Sequence, residues 1–87
     1  SWTTAVMIQA EAQDKGTPAA AVYAEFRKNG QAADARTRRI YPQVTDIPVM
    51  QEFAVEVDTG QVIEYAINAS GATAMDLRID VLGYWER

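Results

Sequence analysis

The stretch from Met75 to Trp85, which reads MDLRIDVLGYW, decides the fold class of this chain. One set of alternate positions holds Met, Leu, Ile, Val, Gly and Trp, and the other holds Asp, Arg, Asp, Leu and Tyr. Such alternation is typical of a half-buried β-strand, because successive side chains of a strand point to opposite faces. A helix would instead need apolar residues at spacings of three and four. We therefore predict a strand whose apolar face, ending in Trp85, is buried.

Two more alternating segments precede this strand. In the segment from Gln51 to Val57, every second residue from Phe53 onwards is apolar, and the segment from Gln61 to Asn68 alternates in the same way from Ile63. A short turn with a glycine, Asp58-Thr59-Gly60, lies between them. Two alternating segments around a short glycine turn predict a β-hairpin.

The first half of the chain is harder to interpret. A first strand is predicted near Thr4 to Gln9, but residues 18–28 carry signals for both kinds of element. Thr17 before Pro18, with Gly30 past the end, is typical of a capped helix. The same segment also alternates through Val22, Ala24 and Phe26, and then predicts a strand ending at Asn29-Gly30, with a partner strand at 35–41. We predict the strand because the rest of the chain is β-rich, and an α+β fold with a helix at 18–28 is the alternative.

These segments together predict one domain. Prolines at 42 and 48 bracket a crossing loop, and small residues at 68–73 form another connection. Six short strands at regular spacing indicate an all-β fold, a small antiparallel β-sandwich or jelly-roll-like domain over residues 1–87. The chain opens with Ser and not Met, and we expect it to be a fragment or module of a larger assembly.

The composition excludes several kinds of site. The 87 residues include no Cys and no His, which rules out disulfides, thiolate or imidazole zinc sites, and catalysis by either residue. We expect no catalytic residues, no metal and no cofactor. The formal net charge is −4, which disfavours nucleic acid as a partner. No apolar run approaches the roughly 20 residues of a membrane span, and no signal peptide is visible, so we expect no membrane insertion.

One short motif has a catalytic interpretation. Asp58-Thr59-Gly60 matches the catalytic triplet of aspartic proteases, in which two Asp carboxylates face each other and share a proton. The triplet lies late in the chain, Gln61 follows it where that family has a small residue, and little chain remains after it. A turn is the favoured interpretation, and a dimeric aspartic protease is a remote alternative.

Two surfaces are candidates for interactions. The polar positions of the last strand, together with two apolar residues that follow them, predict a subunit interface formed by Asp76, Arg78, Asp80, Leu82 and Tyr84. Arginines and tyrosines in the first half predict a ligand surface formed by Tyr23, Arg36, Arg38 and Tyr41.

The order of segments along the chain resembles the small β-sandwich tips and adaptors of phage tail fibres. The resemblance is carried by an Arg27-Lys28-Asn29-Gly30 turn, a basic Arg38–Tyr41 segment, strands at Phe53–Val57 and Val62–Tyr65, and the closing Leu77–Trp85 strand. The helix-like segment at 18–28 departs from this pattern. No residue is carried over from those modules as a receptor contact.

The resemblance implies a non-catalytic attachment module of the virion that assembles as a homo-oligomer, with a trimer favoured, and binds a host-surface glycan or protein. It implies a virion or extracellular location. The alternative is a monomeric carbohydrate-binding accessory module of a larger secreted protein, with Tyr23, Tyr41 and Tyr84 as its exposed aromatic row.

Overall fold

The chain folds as an all-β domain, as predicted. The computed structural model describes residues 2–18, 22–31, 37–71 and 74–87, and this part of the chain contains strands and no helix. The strands are β1 (Thr3–Asp14), β2 (Tyr23–Lys28), β3 (Arg38–Ile40), β4 (Val49–Glu56), β5 (Ile63–Asn68) and β6 (Met75–Glu86). It follows that these segments include no helix long and apolar enough to cross a membrane.

The strands form two antiparallel sheets of three strands each. Sheet A has the order β4-β1-β6, and sheet B has the order β3-β2-β5. The outline is elongated, with principal extents of 45 × 25 × 18 Å. Its length follows from β1 and β6, because 12 residues at about 3.4 Å each span about 40 Å.

The core lies between the two sheets. Contact between them is concentrated along β4, which packs on both β2 and β3. The rings of Phe26 and Phe53 meet there with centroids 5.4 Å apart. Ile8 from β1 and Ile40 from β3 are fully buried beside them. The predicted inward face of β4 is confirmed, because Phe53, like its alternate neighbours Val55 and Val57, is buried.

The helix alternative at 18–28 is wrong for the described residues 22–28. Tyr23 begins a strand that pairs with β3 on one side and β5 on the other, and the predicted inward residues Val22, Ala24 and Phe26 are buried. The strand forms despite the local helix propensity, because a central strand makes backbone hydrogen bonds to both neighbours and buries one face. These contacts stabilise the strand by more than a helix cap would stabilise a helix. The turn that ends the strand has Gly30 at φ +80°, where a side chain would be strained.

The predicted hairpin around Asp58-Thr59-Gly60 is also wrong. A tight turn does form, with the Gln61 N–H donating to the Asp58 carbonyl over 2.9 Å. The strands on its two sides then part, because β4 pairs with β1 in sheet A and β5 pairs with β2 in sheet B. The turn therefore carries the chain between sheets, as do the predicted crossing loop from Pro42 to Pro48 and the connection after Asn68.

Candidate functional site

The exposed apolar side chains of β5 and β6 form the main candidate surface. Because β4 closes the sandwich against β2 and β3, the strands β5 and β6 lie at the opposite edges of their sheets. We call this side the open edge. The large exposed apolar residues of these two strands are Tyr65, Ile67, Val81, Leu82, Tyr84 and Trp85.

Several of these residues belong to the faces that elsewhere form the core. Tyr65 pairs with buried Phe26, and Val81 pairs with buried Ile8, so each shares a face with a core residue. Tyr65 is nevertheless 60% exposed and Val81 64% exposed. An apolar inner face that remains open to solvent is typical of a surface that binds a partner.

A β-bulge at Leu82 changes the predicted faces of β6. Val81 pairs with Ile8 and Gly83 with Met7, which leaves Leu82 as an extra residue without a pairing partner in β1. The alternation therefore reverses beyond this point. Trp85, predicted to be buried, moves to the outer face opposite Ala5 and is 48% exposed. That prediction is wrong.

The same bulge divides the predicted subunit interface. Tyr84 pairs with Val6, a residue packed against the core, so Tyr84 lies on the inner side of sheet A. Asp76, Arg78 and Asp80 lie before the bulge and share the outer face, as predicted. All five predicted interface residues are at least partly accessible, but they belong to two faces joined at the free edge of β6.

Ion pairs partly satisfy the charges on the outer face of β6. Arg78 Nε lies 3.1 Å from Asp80 Oδ2, and Lys15 Nζ lies 2.7 Å from Asp76 Oδ2. The hydrogen bond from Lys15 to Asp76 raises the pKa of the lysine above its ordinary value. Exposed pairs of this kind contribute little to stability, and they rearrange at low cost when a partner approaches.

The predicted ligand surface is assembled in part. Tyr23 and Tyr41 meet edge to face with centroids 6.0 Å apart on the outer face of sheet B. The guanidinium beside them belongs to Arg39, whose Cζ lies 4.3 Å from the Tyr23 ring centroid. Arg38 pairs with Phe26 and therefore lies on the other face of the sheet. The fourth predicted residue, Arg36, lies outside the described residues.

Arg39 was not among the predicted ligand residues, although it fixes the geometry of this cluster. Its side chain donates to the Tyr41 hydroxyl and, over 2.9 Å, to the carboxylate of Glu25. The hydrogen bond to Tyr41, followed by that to Glu25, raises the pKa of Arg39 above its ordinary value. The two tyrosines are thereby held in one arrangement, whereas Tyr84 lies on the other sheet, so the predicted row of three aromatic rings is not formed.

Acidic residues neutralise the arginines on this face. Arg39 pairs with Glu25, and Arg27 pairs with Glu64 over 2.8 Å. A shallow depression of about 380 Å³ lies alongside, lined in part by Arg27, Glu64 and Tyr65. Among the described residues, the outer face of sheet B therefore presents alternating charges and not a basic patch.

The carboxylate of Asp58 stabilises the turn in which it lies. Its Oδ1 accepts from the Val62 N–H over 2.9 Å, and its Oδ2 accepts from the Asn29 side-chain amide over 2.7 Å. These bonds, led by that from Asn29, lower the pKa of Asp58. An aspartic protease needs the reverse, a carboxylate that holds a shared proton against a second carboxylate.

Asp14 is the one buried acidic residue in the described part of the chain, and sequence reasoning missed it. The Ser70 hydroxyl donates to its Oδ1 over 2.6 Å, the Gly16 N–H donates to the same oxygen over 2.9 Å, and the Ser70 N–H donates to Oδ2 over 3.1 Å. The bond from the Ser70 hydroxyl is the main cause of a lowered pKa at Asp14. A Cβ at Gly16 would overlap the Ser70 hydroxyl, so the glycine permits this close approach.

The bonds at Asp14 join three connections between the sheets. Gly16 belongs to the connection after β1, and Ser70 belongs to the connection after β5. The backbone carbonyl of Asp14 accepts from the Asp46 N–H over 2.9 Å, which adds the connection between β3 and β4. The signal available in the sequence is an Asp two residues before a Gly at the end of a strand, the pattern of an Asx-turn.

Comparisons of the whole chain with known proteins find no match. No family model, no curated protein and no solved structure matches the chain. Within the described residues, no group of three or more acidic residues is placed to hold a metal ion.

Proposed function

We propose that this chain is a non-catalytic structural and attachment module that works as a homo-oligomer, like the tail-fibre modules that its sequence resembles. The observation that carries the proposal is the open edge, where Tyr65, Val81 and Tyr84 are each at least 60% exposed. These residues lie on the inner faces of their strands, the faces that build the core on the other side of the sandwich. Association is the simplest way to cover them.

The energetics of a small domain support this proposal. A chain of 87 residues buries only a little over ~60% of the surface that it exposes when unfolded. Each Å² of apolar surface removed from water contributes about 25 cal/mol, so covering the open edge stabilises the folded state substantially. Binding between folded subunits also raises the apparent stability of each subunit.

The acidic residues with specific environments support a structural role. Asp58 bonds across its own turn, and Asp14 joins three connections between the sheets. Both have a lowered pKa, which favours a permanent acceptor over a proton donor at neutral pH.

The ligand surface of the proposed module is the cluster of Tyr23, Arg39 and Tyr41. Arg39 holds the two rings, and Tyr41 is about half exposed, so it presents an aromatic surface with a polar end. A sugar of a host-surface glycan has the matching combination of an apolar face and hydroxyl groups. On a glycan array, we expect Tyr41→Ala to abolish the signals that the unaltered protein gives.

Absolute mass in solution tests the assembly part of the proposal. Light scattering on a sizing column, over a hundredfold range of concentration, should show a defined oligomer that dissociates on dilution. A monomer at every concentration would overturn the proposed attachment module. It would favour the monomeric carbohydrate-binding accessory module instead.

A further inference from the structure

The charges of β6 distinguish it from every other edge strand in the described part of the chain. Along its outer face, Asp76, Arg78 and Asp80 alternate in sign. The other edge strands carry one sign only: β3 has Arg38 and Arg39, β4 has acidic residues, and β5 has Glu64. Strand β6 pairs with β1 and offers a second edge along its 12 residues. Such an edge is a template for another strand.

Alternating charges make β6 complementary to a second copy of itself. When two copies run antiparallel with Ile79 opposite Ile79, Arg78 of each copy lies opposite Asp80 of the other. On the inner face, Leu77 then lies opposite Val81 of the second copy, which covers the exposed Val81 side chain. Opposite charges and apolar pairs directly across from each other are the contacts that stabilise a β-sheet.

The same charges oppose the neighbouring register. Sliding one strand so that Arg78 faces Arg78 brings Asp76 opposite Asp80, and every charged pair is then repulsive. Register in a sheet is set by such contrasts between pairings. The guanidinium of Arg78 has five N–H donors, enough to contact Asp80 of its own chain and Asp80 of the second copy together.

Strand β4, the other edge of sheet A, is not complementary in charge to a second copy of itself. The outer-face charges of β4 are Glu52 and Glu56, and Pro48 stands directly before the strand. Two copies of β4 would place acidic residues near each other and gain no attractive pair. Two copies of β6 attract each other through their charges and two copies of β4 repel each other, so β6 is the edge of sheet A that is suited to assembly.

From this contrast we infer that β6 is the assembly edge and that its partner is a second copy of this chain, paired antiparallel about a two-fold axis at Ile79. The two copies then share one six-stranded sheet of order β4-β1-β6-β6-β1-β4. The inference rests on the proposed function, which requires a homo-oligomer, and it specifies the strand and the symmetry. A trimer would need a different contact.

A pair of charge reversals tests the register. Arg78→Glu sets two carboxylates against each other at both cross-strand pairs, and Asp80→Arg sets two guanidinium groups against each other at the same pairs. Each variant alone should raise the dimer dissociation constant by about 10- to 100-fold, because two attractive cross-strand pairs become repulsive. Mixed in equal amounts, the two variants should form a heterodimer within a few-fold of the unaltered affinity. In that heterodimer the introduced glutamate faces the introduced arginine, and the remaining Asp80 faces the remaining Arg78.

The matched control is Arg38→Glu, which makes the same charge change at an exposed strand position of sheet B. Its dissociation constant should stay within a few-fold of that of the unaltered protein. Circular dichroism of all three variants checks that each one folds. Recovery in the mixture cannot come from contacts within one chain, because each chain still carries its own altered pair.

Cysteine cross-linking tests the axis. The chain has no cysteine, so Ile79→Cys introduces a single thiol at the position that should face its own counterpart. Directly opposite residues have Cβ atoms about 4.5–5.5 Å apart, near the distance at which a disulfide closes. The matched control is Leu77→Cys, which is also partly buried on the inner face. Its counterpart would lie about 13 Å away, so this variant should cross-link far less.

The outcomes separate the inference from the proposed function. A dimer whose Arg78→Glu and Asp80→Arg variants recover together, and in which Ile79→Cys cross-links, supports both. A trimer, or a dimer insensitive to these charge reversals, overturns the β6 pairing and leaves the proposed homo-oligomer standing. A monomer at every concentration overturns both. Preferential cross-linking of Leu77→Cys overturns the two-fold axis at Ile79.

Discussion

The sandwich has a closed side, where β4 packs on β2 and β3, and an open side, the open edge formed by β5 and β6. The strands of both sides have alternating apolar residues, but only those of the closed side are covered by the other sheet. On the closed side, Phe26 and Phe53 meet across the two sheets and are buried. On the open side, Tyr65 and Val81 share faces with core residues, yet more than half of each side chain is accessible to solvent. Alternation therefore identifies the apolar face of a strand, and the position of the strand in its sheet decides whether that face is covered.

The largest contrast is expected between Phe26→Ala and Tyr84→Ala. Removing a fully buried ring that packs on Phe53 should cost about 3–5 kcal/mol of unfolding free energy, a large fraction of the stability of a domain this small. Tyr84→Ala should change the unfolding free energy of the monomer by no more than about 0.5 kcal/mol, because its side chain is largely exposed. Urea unfolding at low protein concentration measures both, and equal losses would contradict the division into two sides.

A smaller but clear loss of stability is expected for Asp14→Asn, because Asp14 joins the connections that follow β1, β3 and β5. The amide NH₂ would face the N–H and O–H donors of Ser70 and Gly16, so a bond to one carboxylate oxygen would be replaced by a conflict between donors. The melting temperature should fall. Asn29→Ala, which removes one bond to the half-buried Asp58, provides a control with a weaker expected effect.

Acidification should expose the same role of Asp14. Its folded-state pKa lies below the ordinary value of 3.8, so the ionised carboxylate contributes stability that is present above that pH and lost as the pH falls through the folded-state value. The unaltered protein should therefore lose stability as the pH falls below about 4. In melting experiments over the same pH range, the Asp14→Asn variant should lose less stability than the unaltered protein. If the melting temperatures of the two proteins fall in parallel with pH, other acidic residues cause the acid sensitivity.

Val81→Lys distinguishes folding from assembly on the open side. Because Val81 is 64% exposed, the monomer should keep its unfolding free energy within about 0.5 kcal/mol. The charged side chain would lie opposite Leu77 of a second copy, and the dissociation constant should rise about tenfold or more. Val44→Lys makes the same change at an equally exposed loop position and should leave the oligomer intact. Sedimentation of both variants gives the comparison.

Replacement of Trp85 tests the bulge at Leu82. A tryptophan on the buried face would cost about 3–5 kcal/mol when replaced by alanine. On the outer face, where Trp85 is about half exposed, Trp85→Ala should cost no more than about 1 kcal/mol. Denaturant unfolding of the monomer separates the two values, and a loss in the higher range would contradict the reversal of faces at Leu82.

Much of the fold could be predicted from local pattern. The alternation from Phe53 to Val57 identified a strand and its buried face, and the alternation in 22–28 identified a strand despite a competing capping signal. The candidate site was predicted less completely. Asp76, Arg78 and Asp80 share one face because period-two geometry holds up to Val81. Tyr84 was placed on the wrong face, because the one-residue bulge at Leu82 reverses every position beyond it. The signal in the sequence is Gly83, since an isolated glycine inside a strand often marks a bulge.

The sequence by itself determined that this is a chain of strands, because apolar alternation and turn residues act within a few positions of each other. It also determined the charges that β6 can offer to a partner, since these follow from Asp76, Arg78 and Asp80 alone. Only the tertiary structure decided that β4 and β5 part into different sheets, that Asp14 joins three connections, and that β5 and β6 remain uncovered. These features depend on contacts between residues distant in the chain, and local propensity does not specify such contacts.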